Sequence, residues 1–480
     1  MFPIATGYIS AFVYGLLCIA LGVLLYKLGV PKKYTRKTVH ILVGFEWVIL
    51  HHFFGATIHT LIVCLSFTAL LLITYFAKML PAMSSDSDNA PGTVYYGVSM
   101  SIMATVSLFL PQIMIPFGIG VFCTSVGDGF AGVVGQAVKR MNPTVFKNKS
   151  LFGTLANFLF SFAVAEVFSI SFDLSLSHLS CFFIAFLAVG LELIGIFGLD
   201  NIFMTVGISF FSYGLIYHYD SLINFVIPIL LTPFVITLVT EKRALTGKGL
   251  FVALVLDLVV SLTLANFGFT LLLLFLFCSV LIDKIKKKKK AEDTVSKKGE
   301  CRDEIQVIAN GLIPAVLALL FAITREQVFI VAYIASLAEA FGDTAASGFG
   351  VFSSKTYDLF KLRRCQSGIS GGMSFVGTFA SLVAAFLLSL VSIAFGVADM
   401  RIVLIATAAA FLGAIFDSFL GSLLQIKYKC NSCGMLTERE IHCGTRTEKY
   451  SGFAFFDNDV VNISSGAFAS AVAILICYLV

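Results

Sequence analysis

Uncharged or nearly uncharged runs of about 17 to 25 residues recur along the whole chain, each the length a helix needs to cross the hydrocarbon core of a bilayer. Backbone placed in lipid must satisfy its own hydrogen bonds, so runs of this kind are expected to be helices. About sixteen of them can be counted, which makes the expected fold all-α and polytopic. Only 13% of the 480 residues are charged, against roughly 25% in soluble domains. The first run, from Gly7 to Leu28, is too long for a signal-peptide core and lacks a small-residue cleavage site, so it reads as a retained span.

Lysine and arginine gather between the runs, at 31–37, 139–149, 241–248, 283–290, 355–364 and 427–449. The positive-inside bias places these loops in the cytoplasm and both termini outside. The lysine run Lys286–Lys290 and the polar stretch after it form an expected disordered linker, 283–302, since a like-charge block has nothing to bury. Beside a span, such a run is a topology anchor or a contact for anionic lipid rather than for nucleic acid. Cys18, Cys64, Cys123, Cys181, Cys278 and Cys477 lie inside apolar runs, where cysteine serves as a small packing residue.

The two halves echo each other. "GDGFAGVVG" from Gly127, "GTLANF" from Gly153 and an Asp-Asn ending at Asn201 are followed by "GDTAASGFG" from Gly342, "GTFASL" from Gly377 and an Asp-Asn ending at Asn458. A module boundary is therefore expected near 240, giving 1–240 and 241–480. An acid near membrane depth costs roughly 2.5 to 3.5 kcal/mol unless it is solvated or paired. Asp128 and Asp343 thus call for an explanation: each can hold a divalent cation between glycines that admit a phosphate, or each can be a helix-terminal acid solvated by headgroup water. Lys139, Arg140, Lys147 and Lys149, then Ser150 and Gly153-Thr154, supply the ammonium groups and helix N-terminal amides that a triphosphate requires. No GxxxxGK[ST] occurs, so the phosphate cradle is not a P-loop.

"RKTVHILVG" from Arg36, Gly92-Thr93, "GDGFAGVVG", "KNKSLFGT" and "LELIGIFGLDN" together resemble the phytol kinase and dolichol kinase family over about 30–205. "IQVIANG" from Ile305, "GDTAASGFG", "SGISGGMSFVGTFASL", "FDSFLGSLLQIKYKC" and "FDNDVVN" resemble the phytyl-phosphate kinases over nearly all of 241–480. These resemblances imply a fusion of two membrane modules. The first would phosphorylate an isoprenoid alcohol and the second its monophosphate, with CTP, or ATP or UTP, as donor and Mg2+ as cofactor. They also imply a multi-pass protein of a prokaryotic cell membrane with cytoplasmic sites. Carried onto this chain, Asp128 and Asp343 become the catalytic carboxylates and, with Asp417, the Mg2+ ligands. Arg36, Lys37, Gly127, Lys147, Lys149, Ser150, Gly153, Thr154, Asp200 and Asn201 become nucleotide or phosphate contacts in the first module. Ser347, Lys361, Ser367, Gly368, Gly377, Thr378, Asn458 and Asn462 take that role in the second, although Asp417, Asn458 and Asn462 would serve equally as helix caps. His40 would orient a phosphate or accept the alcohol proton, or be an interfacial histidine.

Cys430, Cys433, His442 and Cys443 form a C-x2-C-x8-H-C pattern in the most polar loop. Four such donors suit a structural zinc, though the spacing is shorter than the usual finger or ribbon and reduced, unligated thiols would fit as well. Two other classes remain. One is nucleotidyl transfer to phosphatidate, as in the membrane phosphatidate cytidylyltransferases that the chain more distantly resembles; the other is a carrier with Glu46, Glu166, Glu192, Asp257 and Glu339 as an intramembrane path.

Overall fold

The computed structural model describes residues 2–76, 92–138, 143–146, 149–194, 199–242, 244–288, 301–353, 355–358, 360, 363–365 and 369–479. The chain divides into two compact units, Met1–Glu241 and Lys242–Val480, each helical. The first holds α1 (Phe2–Lys27), α2 (Lys32–Gly44), α3 (Glu46–Phe53), α4 (Ile58–Phe76), α5 (Gly92–Phe109), α6 (Met114–Phe122), α7 (Gly129–Ala137), α8 (Leu151–Ser171), α9 (His178–Ile194), α10 (Asp200–Tyr217), α11 (Tyr219–Leu222) and α12 (Val226–Glu241). The second holds α13 (Gly247–Lys288), α14 (Glu304–Thr324), α15 (Gln327–Gly350), α16 (Phe375–Ala394), α17 (Met400–Leu423) and α18 (Asn458–Leu479). Between helices lie short antiparallel pairings, the largest a three-stranded piece built from 427–429, 436–437 and 448–451.

Twelve helices among the described residues are long and apolar enough to cross a membrane, fewer than the sixteen expected. The difference has local causes. The chain breaks at Phe45, splitting one apolar run into α2 and α3, of 13 and 8 residues. α9 is a 17-residue helix. α10, at 18 residues, carries Asp200 and a string of small polar residues. α13 is 42 residues long but bends at Ala265, whose φ of 51° lies outside the helical region, so two sequence runs share one helix. The hydroxyl of Tyr333 donates to the carbonyl of Gly268 at 2.9 Å, just beyond that bend, satisfying an acceptor that lipid would leave bare. The linker expected at 283–302 is helical as far as Lys288 and lies outside the described residues from 289 to 300.

Each unit is organised around one buried helix. In the first it is Pro111–Ala137, which runs from α6 through α7 with a wider, π-helical turn at Cys123–Asp128; in the second it is α15. Lipid supplies no hydrophobic drive between helices, so association rests on close packing of small residues. Accordingly, α15 and its neighbours bury Ala332, Ala335, Ala338, Ala345, Ala406, Ala409, Ala410 and Ala473.

The echo between the halves corresponds to one crossing built twice. A Cβ on Gly153, at the start of α8, would stand 2.9 Å from the carbonyl oxygen of Ala131 and 3.5 Å from Cα of Gly135. A Cβ on Gly377, at the start of α16, would stand 2.9 Å from the carbonyl oxygen of Ala346 and 3.4 Å from Cα of Gly350. The same register recurs beside the acids, where Gly127 abuts Ser161 and Asn157, and Gly342 abuts Ser381. Gly377→Val should therefore separate α15 from α16, with an overpacking loss of about 1–3 kcal/mol. Thermal unfolding in detergent checks this; an unchanged midpoint would mean that the crossing is not tight.

Candidate active site

In the first unit the site forms where the π-helical turn meets α2. Pro31, at φ −54°, starts α2 and puts Lys37 and His40 three residues apart, on one face. Glycine makes room for them: a Cβ on Gly132 would fall 2.5 Å from Cε of Lys37. The ammonium of Lys37 donates to Oδ2 of Asp128 at 2.7 Å and to the Asp128 carbonyl at 3.1 Å. His40 Nε2 lies 3.1 Å from the carbonyl of Thr124 and 3.7 Å from Asp128 Oδ2. A carbonyl only accepts, so Nε2 carries a proton and Nδ1 is the ring nitrogen left for proton transfer. Arg36 lies one turn before His40, half-buried on the same helix.

A second group adjoins the first. Ser150 caps α8 by accepting from the Gly153 amide at 3.3 Å. The preceding Lys149 donates to Glu192 Oε1 at 2.9 Å and lies 3.9 Å from Asp200 Oδ2. Asn157 donates to Glu192 Oε2 at 2.6 Å, and Ser161 donates to Asn157 Oδ1 at 2.9 Å. Burial works against the charge on Lys149, but the carboxylates of Glu192, Asp128 and Asp200 outweigh it and hold its ammonium above the usual lysine range. A raised pKa loses its stabilising contribution only as pH climbs through that higher value, so Lys149 stays cationic at every working pH. Asn201 donates from its side chain to the Gly92 carbonyl at 3.2 Å, tying the start of α10 to the start of α5. The hydroxyl oxygen of Thr154 is buried without a hydrogen-bond partner. Lys147, like Lys139 and Arg140, lies outside the described residues.

The second unit places Asp343 at the position that Asp128 holds in the repeated crossing, with two further acids beside it. Glu339 and Asp343, one turn apart on α15, lie within electrostatic range of Asp417 on α17. The Ser465 hydroxyl of α18 lies beside this group. Among the described residues none of the three acids forms an ion pair. Glu339 Oε1 and Asp417 Oδ2 are buried with no hydrogen-bond partner. Ser374 caps α16 through the Gly377 amide at 3.1 Å, as Ser150 does in the first unit, and Thr378 follows, half-buried. Ser347 only donates back to the Thr344 carbonyl of its own helix at 3.1 Å. Asn458 is exposed; Asp457 caps α18 instead, accepting from the amides of Asp459 at 3.1 Å and Val460 at 3.2 Å. Asn462 is half-buried, and its carbonyl accepts from Ser465 at 3.0 Å. Lys361, Ser367 and Gly368 lie outside the described residues.

The sequence motifs pass over Asn157, Ser161 and Ser465, and they offer Glu192 and Glu339 only as carrier candidates. Their signal is i, i+4 spacing inside apolar runs: Asn157 with Ser161, and Glu339 with Asp343. Away from these groups, Cys430, Cys433, His442 and Cys443 bring their donor atoms within 4.8 Å of one another, the only such converging cluster among the described residues. Backbone amides, first that of Cys433, and the His442 ring pull the Cys430 thiol down to about 6.

Replacing Lys149 by Met should leave Glu192 buried and uncompensated, at a cost of about 3 kcal/mol. The unfolding midpoint should fall, and adding Glu192→Gln should recover part of the loss. Equal stability of Lys149→Met and wild type would contradict the assignment.

A family model described as integral membrane protein DUF92 matches residues 230–470. Over 215 residues the chain is 31% identical to an uncharacterized membrane protein of Methanocaldococcus jannaschii, covering 43% of this chain and 86% of that protein. Over 194 residues it is 30% identical to a phytol kinase of Synechocystis, covering 38% of this chain and 80% of that enzyme. Over 259 residues it is 24% identical to the chloroplastic protein VTE6 of Arabidopsis thaliana, covering 52% of this chain and 69% of that protein. No solved structure matches the chain. The helical architecture of the second unit and the match over 230–470 lead to one conclusion: the chain belongs to the DUF92 family of integral membrane proteins.

Proposed function

We propose that this protein is a membrane kinase of isoprenoid lipids, in which the first unit phosphorylates a prenol and the second phosphorylates the resulting monophosphate. The observation that carries the reading is the Ser-x-x-Gly capped helix start, set against an acid-bearing helix in each unit. A helix start favours phosphate through the positive end of its dipole, and glycine at the crossing lets it approach. Similarity to a phytol kinase over most of that enzyme's length supports the substrate class. The resemblance of the second half to phytyl-phosphate kinases supports the second step.

Phosphoryl transfer needs positioning and charge stabilisation more than covalent chemistry. The bond from the terminal phosphorus to the donor's bridging oxygen breaks, the prenol oxygen bonds to that phosphorus, and the hydroxyl proton leaves to a base. In the first unit, Lys37 and Lys149 supply fixed positive charge, Asp128 holds Lys37 in place, and Nδ1 of His40 receives the proton. In the second unit, Asp343 with Glu339 and Asp417, whose Oε1 and Oδ2 are unpartnered, would hold a divalent cation once drawn together around it. Mg2+ bound there would offset the charge on the transferred phosphoryl group. The donor is CTP, with ATP or UTP as the other nucleotides to try, and both sites open to the cytoplasm of a prokaryotic cell. A monophosphate with a long apolar tail stays in the leaflet, so joining the units raises its local concentration at the second site.

Purified protein given geranylgeraniol, Mg2+ and each nucleotide in turn tests this, with products resolved by mass spectrometry. Asp343→Asn should accumulate monophosphate. Asp128→Asn should make nothing from the alcohol yet still convert supplied monophosphate. Each loss should reach about 100-fold or more, because Asp128→Asn releases the lysine that meets the transferred phosphoryl group and Asp343→Asn removes a proposed ligand of the cation. Loss of both conversions from either single change would sink the serial arrangement, and pyrophosphate release would mark nucleotidyl transfer instead.

A further inference from the structure

We infer that Cys430, Cys433, His442 and Cys443 form a structural zinc site that folds the 425–457 loop of the second unit. Besides the metal, short strands and a set of hydrogen bonds hold the loop. Its strands are two to four residues long, and isolated pieces of that size are marginal at best in water. Two hairpins carry the donors. In the first, strand 427–429 leads into Cys430, whose amide donates to the Met435 carbonyl at 2.9 Å while its own carbonyl accepts from Gly434 at 2.9 Å. Gly434, at φ 72°, closes the turn that holds Cys433. In the second, Ile441–His442 pairs with Thr445–Arg446 through a turn in which Cys443, at φ 51°, and Gly444, at φ 74°, are both left-handed. A cysteine held in that conformation is strained, and strain of this kind persists where the surroundings fix it.

The distances fit one metal. Nδ1 of His442 lies 3.5 Å from the Cys433 sulfur and 3.3 Å from the Cys443 sulfur. With zinc–sulfur bonds of about 2.3 Å and zinc–nitrogen bonds of about 2.05 Å at the tetrahedral angle, the nitrogen–sulfur edge is about 3.6 Å. Three soft thiolates and one imidazole select zinc over the hard cations that serve phosphate chemistry. A disulfide would leave an odd thiol, and all eleven cysteines are unpaired.

The loop also bears on the proposed active site. Gln425 donates to Glu438 Oε1 at 2.9 Å, Ser370 donates to the same oxygen, and Lys427 donates to the Ser370 carbonyl at 2.7 Å. Ser370 adjoins Gly371, at φ 84°, at the end of the glycine-rich stretch whose start the resemblance assigns to phosphate. The zinc loop therefore acts as a positioning element for that stretch. This last consequence rests on the proposed function; the metal content does not.

The full-length protein, purified in detergent with any affinity tag removed, should contain about one zinc per chain, falling at least tenfold in Cys433→Ser and Cys443→Ser but not in Cys301→Ser. Wild-type protein stripped by chelator and reloaded with cobalt(II) should develop the intense visible bands of tetrahedral thiolate coordination. That measurement decides the matter even where the serine variants fail to fold. Zinc-free wild type without cobalt bands, or zinc retained equally in all variants, would overturn the site. Prenyl-monophosphate conversion that survives zinc removal would overturn only the positioning role.

Discussion

Two helices can come as close as the crossings of α7 with α8 and of α15 with α16 only if glycine meets glycine, and the candidate sites depend on that contact. With larger residues there, the capped helix start would stand away from the acid-bearing helix. The positive end of that helix would then have no defined relation to Asp128 or Asp343. The serines that cap these helices cooperate with the glycines, because the cap fixes where the helix begins while the crossing fixes what it faces.

On this shared frame the two units differ in charge. In the first, Lys37 answers Asp128, and Lys149 answers Glu192 and Asp200, so its buried carboxylates have built-in cations. In the second, Met373 stands before the capping serine where the first has Lys149, and Glu339 lies one turn before the acid where the first has Thr124. On the proposed function, the lysines of the first site would turn from their carboxylates to the donor phosphates, and the carboxylates of the second would hold a cation.

Much of this was legible in the sequence because lipid imposes simple rules. Apolar runs become helices, and the glycines, acids and capping serines around Asp128, Ser150, Asp343 and Gly377 stand out against them. The count of spans was less legible. Hydropathy registers apolar length but not the break at Phe45 or the continuation of α13 through Ala265, both of which depend on tertiary packing. Asn157, Ser161 and Ser465 escaped notice because a polar residue in a span has no motif of its own; only the fold shows that it faces Glu192 or the acids of α15. Asn458 drew attention as a polar ligand, yet the capping falls to its neighbour Asp457.

The spacing of the repeated crossing bears on how such a chain can change. From Asp128 to Gly135 and from Asp343 to Gly350 the interval is seven residues in each unit, and from Ser150 to Asn157 and from Ser374 to Ser381 it is again seven. Between these stretches the intervals differ: fifteen steps from Gly135 to Ser150 against twenty-four from Gly350 to Ser374. An insertion within a helix would rotate every later side chain by about 100° for each added residue and carry the acid off its face. An insertion between the helices leaves both ends of the crossing where they were. Length variation in relatives of this chain should therefore collect at the aqueous ends of the spans, which leaves the loops free to acquire new elements such as the cysteine-bearing hairpins.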